Sequence, residues 1–225
     1  PDRFAATGGM AAAEPIGTSL PENMRNVAMR IDIGEKDIMF DRVGLARRMG
    51  GRLAELRKQD PEGYDYSVNI QAGRGHGIDY SLTPKWLAER VRNPRPKRVV
   101  WTIRKFDSRV ALQHYWLALE AVPDDLPWYV EAKIDGNRID ITAERAGASA
   151  DARQPVLSGR LLLRLDDRLL DLDRDVHVVV NGQSLPAKKL ARSFDVMLRT
   201  IAERSDPDGC FTAEFVVDLG QLAGR

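Results

Sequence analysis

An α/β unit followed by a mostly antiparallel, β-sandwich-like domain is the fold this sequence predicts, with the division near residues 93–97. Three observations lead there. Between Asn26 and Val91, short apolar runs alternate with stretches whose apolar residues recur at helical spacing, the pattern of parallel βα units. After Pro96 the texture changes to many short strand-like runs separated by turn signals. Between the two lies Asn93-Pro94-Arg95-Pro96, which no helix or central strand can cross. The chain has 225 residues, 43% of them hydrophobic and 30% charged, enough to bury one large core or two smaller ones. The expected domains are residues 1–95 and 96–225.

In the first, residues 1–26 are small and Gly/Ala/Pro-rich and read as irregular. Asn26–Ile33 reads as a strand followed by the loop Gly34-Glu35-Lys36-Asp37. From Val43 to Lys58 the residues Val43, Leu45, Ala46, Met49, Leu53, Ala54 and Leu56 fall at helical spacing. Asp41 stands at the N-cap position, and Asp60-Pro61-Glu62-Gly63 stops the helix. Asp65–Gln71 reads as a second strand, leading into Ala72-Gly73-Arg74-Gly75-His76-Gly77; a helix is predicted near Thr83–Val91.

In the second domain, strands are predicted at Arg98–Ile103, Trp116–Leu119, Trp128–Ile134, Arg138–Ala143, Leu161–Leu165, Val176–Val180 and Phe211–Val217. Asp135-Gly136-Asn137, Asp166-Asp167, Asn181-Gly182 and Asp208-Gly209 supply the turns. One helix is expected over Pro186–Arg204, and Ala143–Gln154 reads as a small-residue polar loop.

Several function classes are disfavoured at once. With 34 basic and 33 acidic residues and a net charge of +1, the chain carries no global attraction for nucleic acid. Its uncharged apolar runs fall far short of the ~20 residues of a membrane span. The single cysteine, Cys210, makes no internal disulfide and no cysteine-rich zinc site.

Asp37 and His76 carry the functional argument. Each stands just beyond the carboxyl end of a predicted parallel strand, where open α/β sheets place functional loops. One crossover helix between the two strands would bring those loops together. A carboxylate there can accept a hydrogen bond from imidazole Nδ1, fix the tautomer and stabilise the imidazolium formed during proton transfer. Gly73, Gly75 and Gly77 permit a sharp loop that presents the ring.

Gly34-Glu35-Lys36-Asp37 after a strand, then a helix, a strand and Gly73-Arg74-Gly75-His76-Gly77, resembles the C-terminal part of an α/β-hydrolase catalytic domain, of the esterase or prolyl-oligopeptidase-like kind. In that family the chain order is Ser, Asp, His on successive strand ends. The resemblance covers residues 1 to about 92, and the opening Pro1-Asp2-Arg3-Phe4-Ala5-Ala6 resembles the stretch after the family's nucleophile helix. It implies that Asp37 is the triad acid and His76 the general base. The implied substrate is an ester or peptide, with no metal or organic cofactor. Asp41 is the second candidate for the acid; Asp79, close behind His76, reads as a cap of its loop.

The sequence departs from the family in one large respect, since no Gly-x-Ser-x-Gly occurs in it. Gly17-Thr18-Ser19-Leu20-Pro21 lacks a preceding strand, and Gly182-Gln183-Ser184-Leu185-Pro186 reads as a hairpin turn. After Asp37, where the family often has an apolar residue and Pro, this chain has Phe40-Asp41. The nucleophile and oxyanion hole are therefore expected upstream of Pro1. Two parallel strands with an unpaired edge point the same way, because parallel sheets are normally covered on both faces. On this reading the chain by itself is not a competent serine hydrolase, and its partner is the rest of its own catalytic domain. A non-catalytic binding module on a hydrolase-like scaffold is the alternative.

Other polar clusters have plainer readings. His114 and His177 read as ordinary strand or loop histidines. The basic stretch Lys85–Lys105 suits either a phosphate grip or a solvated hinge face, and reads as the latter. Asp166, Asp167, Asp171, Asp173 and Asp175 suit either Ca²⁺ or a turn and strand edge. Trp101, Trp116, Trp128 and Tyr129 suit either a sugar-stacking platform or a core.

Overall fold

The computed structural model describes residues 2–15, 18–145 and 153–222. The chain forms two compact units, one reaching to Asn93 and the other starting at Pro94.

The first unit is built on three parallel strands, β1 (Ala6–Met10), β2 (Ala28–Gly34) and β3 (Tyr66–Gln71), in the order β1-β2-β3. β1 runs beside β2 from Ala6 opposite Ala28 to Met10 opposite Asp32. β2 runs beside β3 from Met29 opposite Tyr66 to Gly34 opposite Gln71. Helix α1 (Arg42–Gln59) lies on one face of this sheet, its Val43, Ala46, Met49, Leu53 and Leu56 packed on Ile31 and Ile33. These are the positions the helical period selects. Helix α2 (Leu82–Ala88) packs on β1 and β2. It is shorter than its sequence pattern, ending before Asn93-Pro94.

On the α2 side, Asp32 of β2 is fully buried. Arg30 Nε donates to its Oδ2 at 2.6 Å and Asn69 Nδ2 of β3 to its Oδ1 at 2.6 Å. The Thr83 hydroxyl of α2 donates to Oδ2 as well. One carboxylate thus joins two strands and a helix. Burial works against its charge, but Arg30, Thr83 and Asn69 outweigh it and hold Asp32 below the usual carboxylate range.

The second unit holds two sheets. β5 (Gln113–His114), β6 (Leu117–Leu119), β10 (Arg160–Leu165) and β13 (Ala213–Asp218) form a four-stranded antiparallel sheet in the order β13-β10-β6-β5. The other sheet runs β12-β11-β8-β7-β4, with β9 beside β8. Its strands are β4 (Arg98–Ile103), β7 (Trp128–Asp135), β8 (Arg138–Arg145), β9 (Gln154–Pro155), β11 (His177–Val180) and β12 (Gln183–Ser184). The β11–β12 hairpin turns on Asn181 and Gly182, both at positive φ, the backbone that Asn-Gly favours. Helix α3 (Phe194–Arg204) starts at Ser193, whose hydroxyl accepts from Val196 N.

The expected fold class needs correction. The parallel sheet has three strands, because β1 lies in the stretch read as irregular. Ala-Thr-Gly-Gly-Met has almost no strand propensity of its own, and pairing with β2 recruits it. The second unit is not simply antiparallel either. β11 joins β8 in parallel, His177 opposite Arg138, making that sheet mixed. Nothing in a three-stranded parallel sheet identifies the C-terminal part of an α/β-hydrolase domain. Helix α3 also begins well after Pro186, since Val176 bridges Lys188 in an extended stretch. Of the expected loop Ala143–Gln154, residues 146–152 lie outside the described residues, while Ala143 and Gln154 are in strands.

Trp116 and Trp128 are fully buried and Trp101 nearly so, which removes the sugar-stacking alternative for these three. Gly159 sits against Trp128 at φ +85°, and a Cβ there would come 2.8 Å from the indole Cη2. The indole is anchored by its Nε1 donating to Asp125 Oδ1 at 2.9 Å. Gly159→Ala should therefore cost about 2 kcal/mol or more, from left-handed strain and overpacking together. The shift in the urea midpoint, followed by tryptophan fluorescence, measures this; a change within about 0.5 kcal/mol would mean the ring yields freely.

The Asp32 network makes a second expectation. A carboxylate held below its ordinary value binds fewer protons folded than unfolded, so its contribution is complete above about pH 4. That contribution drains away as the pH falls through the lowered folded value. Asp32→Ala should cost roughly 3 kcal/mol at neutral pH by stripping Arg30, Asn69 and Thr83 of their partner. It should also flatten this acid dependence. Hydrogen exchange of the β2 amides, read across pH, checks both.

Candidate active site

The carboxyl ends of β2 and β3 lie side by side because the strands are parallel and in register up to Gly34 opposite Gln71. The two loops that follow are then stitched together. Glu35 N donates to Gln71 O at 3.0 Å, Lys36 N to Arg74 O at 2.8 Å, and Gly73 N to Glu35 Oε2 at 2.8 Å. Gly34 makes the crossing possible, since a Cβ on it would overlap the carbonyl oxygens of Arg74 and Gly75.

This crossing brings Asp37 and His76 together. His76 Nδ1 lies 2.9 Å from Asp37 Oδ2, and the second carboxylate oxygen accepts from Arg42 Nη1 at 3.2 Å. Asp37 is also fixed through its backbone, its N bonded to Gly34 O and its O accepting from Val43 N. The two side chains differ sharply in exposure, 2% for Asp37 and 62% for His76. The hydrogen bond from His76 first, and Arg42 after it, hold the Asp37 carboxyl below the usual carboxylate range despite burial. At neutral pH Asp37 is thus an ionised acceptor, so the Nδ1 that faces it carries the shared proton. A buried anion orienting an exposed imidazole can take a proton from a substrate or nucleophile and stabilise the resulting cation.

The neighbours have separate duties. Asp41 is the N-cap residue of α1 but makes no capping bond; its carboxylate accepts from Arg48 Nη2 at 2.6 Å. Asp79 bonds Ser81 N through Oδ1, as expected of a loop cap, and its backbone exchanges hydrogen bonds with the Gln71 side chain. Tyr80 OH donates to His76 O at 2.9 Å and braces the same loop. Arg42 and Tyr80 carried no motif, and Glu35 stood only as part of the loop Gly34-Glu35-Lys36-Asp37. Asp32 did leave a trace, a charge in the middle of an apolar strand whose two faces are both covered.

The other clusters resolve into internal pairs. His114 is buried edge-on to Tyr115, whereas His177 is exposed in β11. Asp166 pairs with Arg95 and Arg168, and Asp167 and Asp173 share Arg192. Among the described residues no group of three or more His, Cys, Asp and Glu side chains is arranged to hold a metal ion. The Cys210 carbonyl accepts from buried Arg95. Ser19 donates to Glu14 at 2.7 Å, and Ser184 lies in β12. Among the described residues, no helix is long and apolar enough to cross a membrane.

Compared with protein-family models, curated proteins and solved structures, the chain matches none.

His76→Ala removes the first of the influences that keep Asp37 ionised, and Gly34→Ala pushes away the loop that carries the imidazole. Both should raise the Asp37 carboxyl towards the ordinary value of about 3.9. A carboxyl ¹³C titration reads this directly. An unchanged midpoint in Gly34→Ala would mean the loop crossing does not set the pair.

Proposed function

We propose that Asp37 and His76 are the orienting acid and general base of serine-hydrolase chemistry, acyl transfer to water that cleaves an ester or a peptide-like amide. The observation that carries this reading is the 2.9 Å bond between a buried, ionised carboxylate and an exposed imidazole.

In this reaction His76 Nε2 takes the proton of a serine hydroxyl as the oxygen attacks the substrate carbonyl. The imidazolium, held by Asp37, then returns the proton to the leaving group. In the second half His76 deprotonates water, which attacks the acyl-serine, and the imidazolium gives that proton to the departing serine oxygen as the acid is released. No step asks for a metal or an organic cofactor. Among the described residues no serine hydroxyl is bonded to His76, so the reading needs a serine brought to Nε2 from elsewhere in the polypeptide.

Fluorophosphonate labelling, which captures activated serines, tests the proposal. The 225-residue chain alone should not label. The natural polypeptide carrying the serine should label, about 10³-fold or more slower in His76→Ala, with a further large loss in Asp37→Asn from the wrong tautomer. Labelling indifferent to His76→Ala, or none in the natural polypeptide, would favour the non-catalytic binding module instead.

A further inference from the structure

Directly after Asp37 come three large apolar residues in a row, Ile38, Met39 and Phe40, exposed to 77%, 62% and 78%. They add nothing to the core beneath α1, which is built from Val43 onwards. Consecutive exposed apolar side chains of this size are costly in water and are tolerated where they serve a function.

This segment is held firmly in a disfavoured shape. Ile38 N donates to Lys36 O at 3.0 Å and Asp41 N to Ile38 O at 2.9 Å. Phe40 and Asp41 both adopt left-handed backbone, φ +54° and +56°, which non-glycine residues rarely do even singly. Strain of this kind persists where surrounding contacts impose it, typically at functional sites. Here the contacts lead back to the Asp–His pair. The Arg42 guanidinium lies over the Phe40 ring, 5.1 Å from its centroid, while its Nη1 bonds Asp37 Oδ1 at 3.2 Å. On the other loop Tyr80, 46% exposed, bonds the His76 carbonyl.

We propose that Ile38, Met39 and Phe40 form the wall that binds the apolar acyl group of the substrate, selecting esters or amides of long-chain or aromatic acids over short, polar ones. This rests on the reading of Asp37 and His76 as the acid–base pair. Size favours a small molecule as the occupant. Stable protein interfaces bury about 800 Å² on each partner, far more than three side chains supply. An alkyl chain or one aromatic ring is matched by a patch of this extent. Continuity favours the acyl group, because Arg42 ties the Phe40 ring to the carboxylate that orients the general base.

The test is a titration of the 225-residue chain, labelled in its Ile and Met methyl groups, with acetate, hexanoate and decanoate below the micelle concentration. The Ile38 and Met39 methyl resonances should shift with saturation, decanoate binding about tenfold tighter than hexanoate and acetate not saturating. Phe40→Gly and Met39→Ser should each weaken decanoate about fivefold. Neither threatens folding, since both side chains are exposed and glycine suits the left-handed backbone at Phe40. The same unit contains a competing apolar cleft of about 650 Å³ lined by Met24, Met29 and Met49. Shifts confined to those methyl groups would overturn the proposal, as would equal affinity across the series. Failure of the titration while labelling still depends on His76 would overturn the acyl wall alone. Labelling indifferent to His76 would overturn the acid–base pair, and with it the wall's role towards a substrate.

Discussion

Parallel pairing of β2 with β3, carried in register as far as Gly34 opposite Gln71, is the constraint on which the site depends. It brings two loops out of the sheet at one edge, close enough for backbone hydrogen bonds between them. Gly34 lets the second loop pass directly over the end of the first strand. Beneath the crossing, Asp32 fastens β2 to β3 through Asn69 and to α2 through Thr83. The His76 loop is thus held at both of its ends, at Gln71 by the sheet and at Leu82 by the helix that follows.

The asymmetry of burial in the Asp–His pair has a direct chemical meaning. Asp37 is enclosed, ionised and fixed by Arg42 and by backbone bonds, so it serves as a stationary charge. His76, by contrast, has its side chain open to solvent. Such an arrangement places the cost of organisation in the fold and leaves the titrating group accessible. Consecutive left-handed residues after Asp37 extend this organisation to the apolar segment beside it, at a conformational cost the core does not require.

The second unit spends its polar chemistry on itself. Buried Arg95 bonds Asp166 and the carbonyls of Asp208 and Cys210 while stacking on Phe211. Arg192 gathers Asp167 and Asp173, and Arg95 and Arg168 hold Asp166, so three of the five carboxylates of the acidic run are paired with arginine. The tryptophans fill the interior rather than a surface, and each buried indole N–H of Trp116 and Trp128 has an acceptor. None of these groups converges on an accessible reactive atom, which leaves the Asp37–His76 pair as the chemically distinctive feature of the described chain.

The sequence by itself determined the elements whose signals are local. Arg98–Ile103 is a strand as its apolar, β-branched run requires, and α1 buries Val43, Ala46, Met49, Leu53 and Leu56 as the 3.6-residue period demands. It also singled out Asp37 and His76, because two loops after parallel strands had few other chemically active residues. Tertiary structure decided what depends on distant partners. β1 exists only through pairing with β2, since Ala-Thr-Gly-Gly-Met has no local drive to extend. The parallel β8–β11 contact joins residues about forty positions apart and changes the sheet class with no trace in either strand. Asp32 takes its role from Arg30, Asn69 and Thr83, which lie on two strands and a helix, and Arg42 links Asp37 to Phe40 through a geometry that spacing alone cannot show. Periodicity reports how one element meets the core; which elements meet each other is settled only when the chain packs.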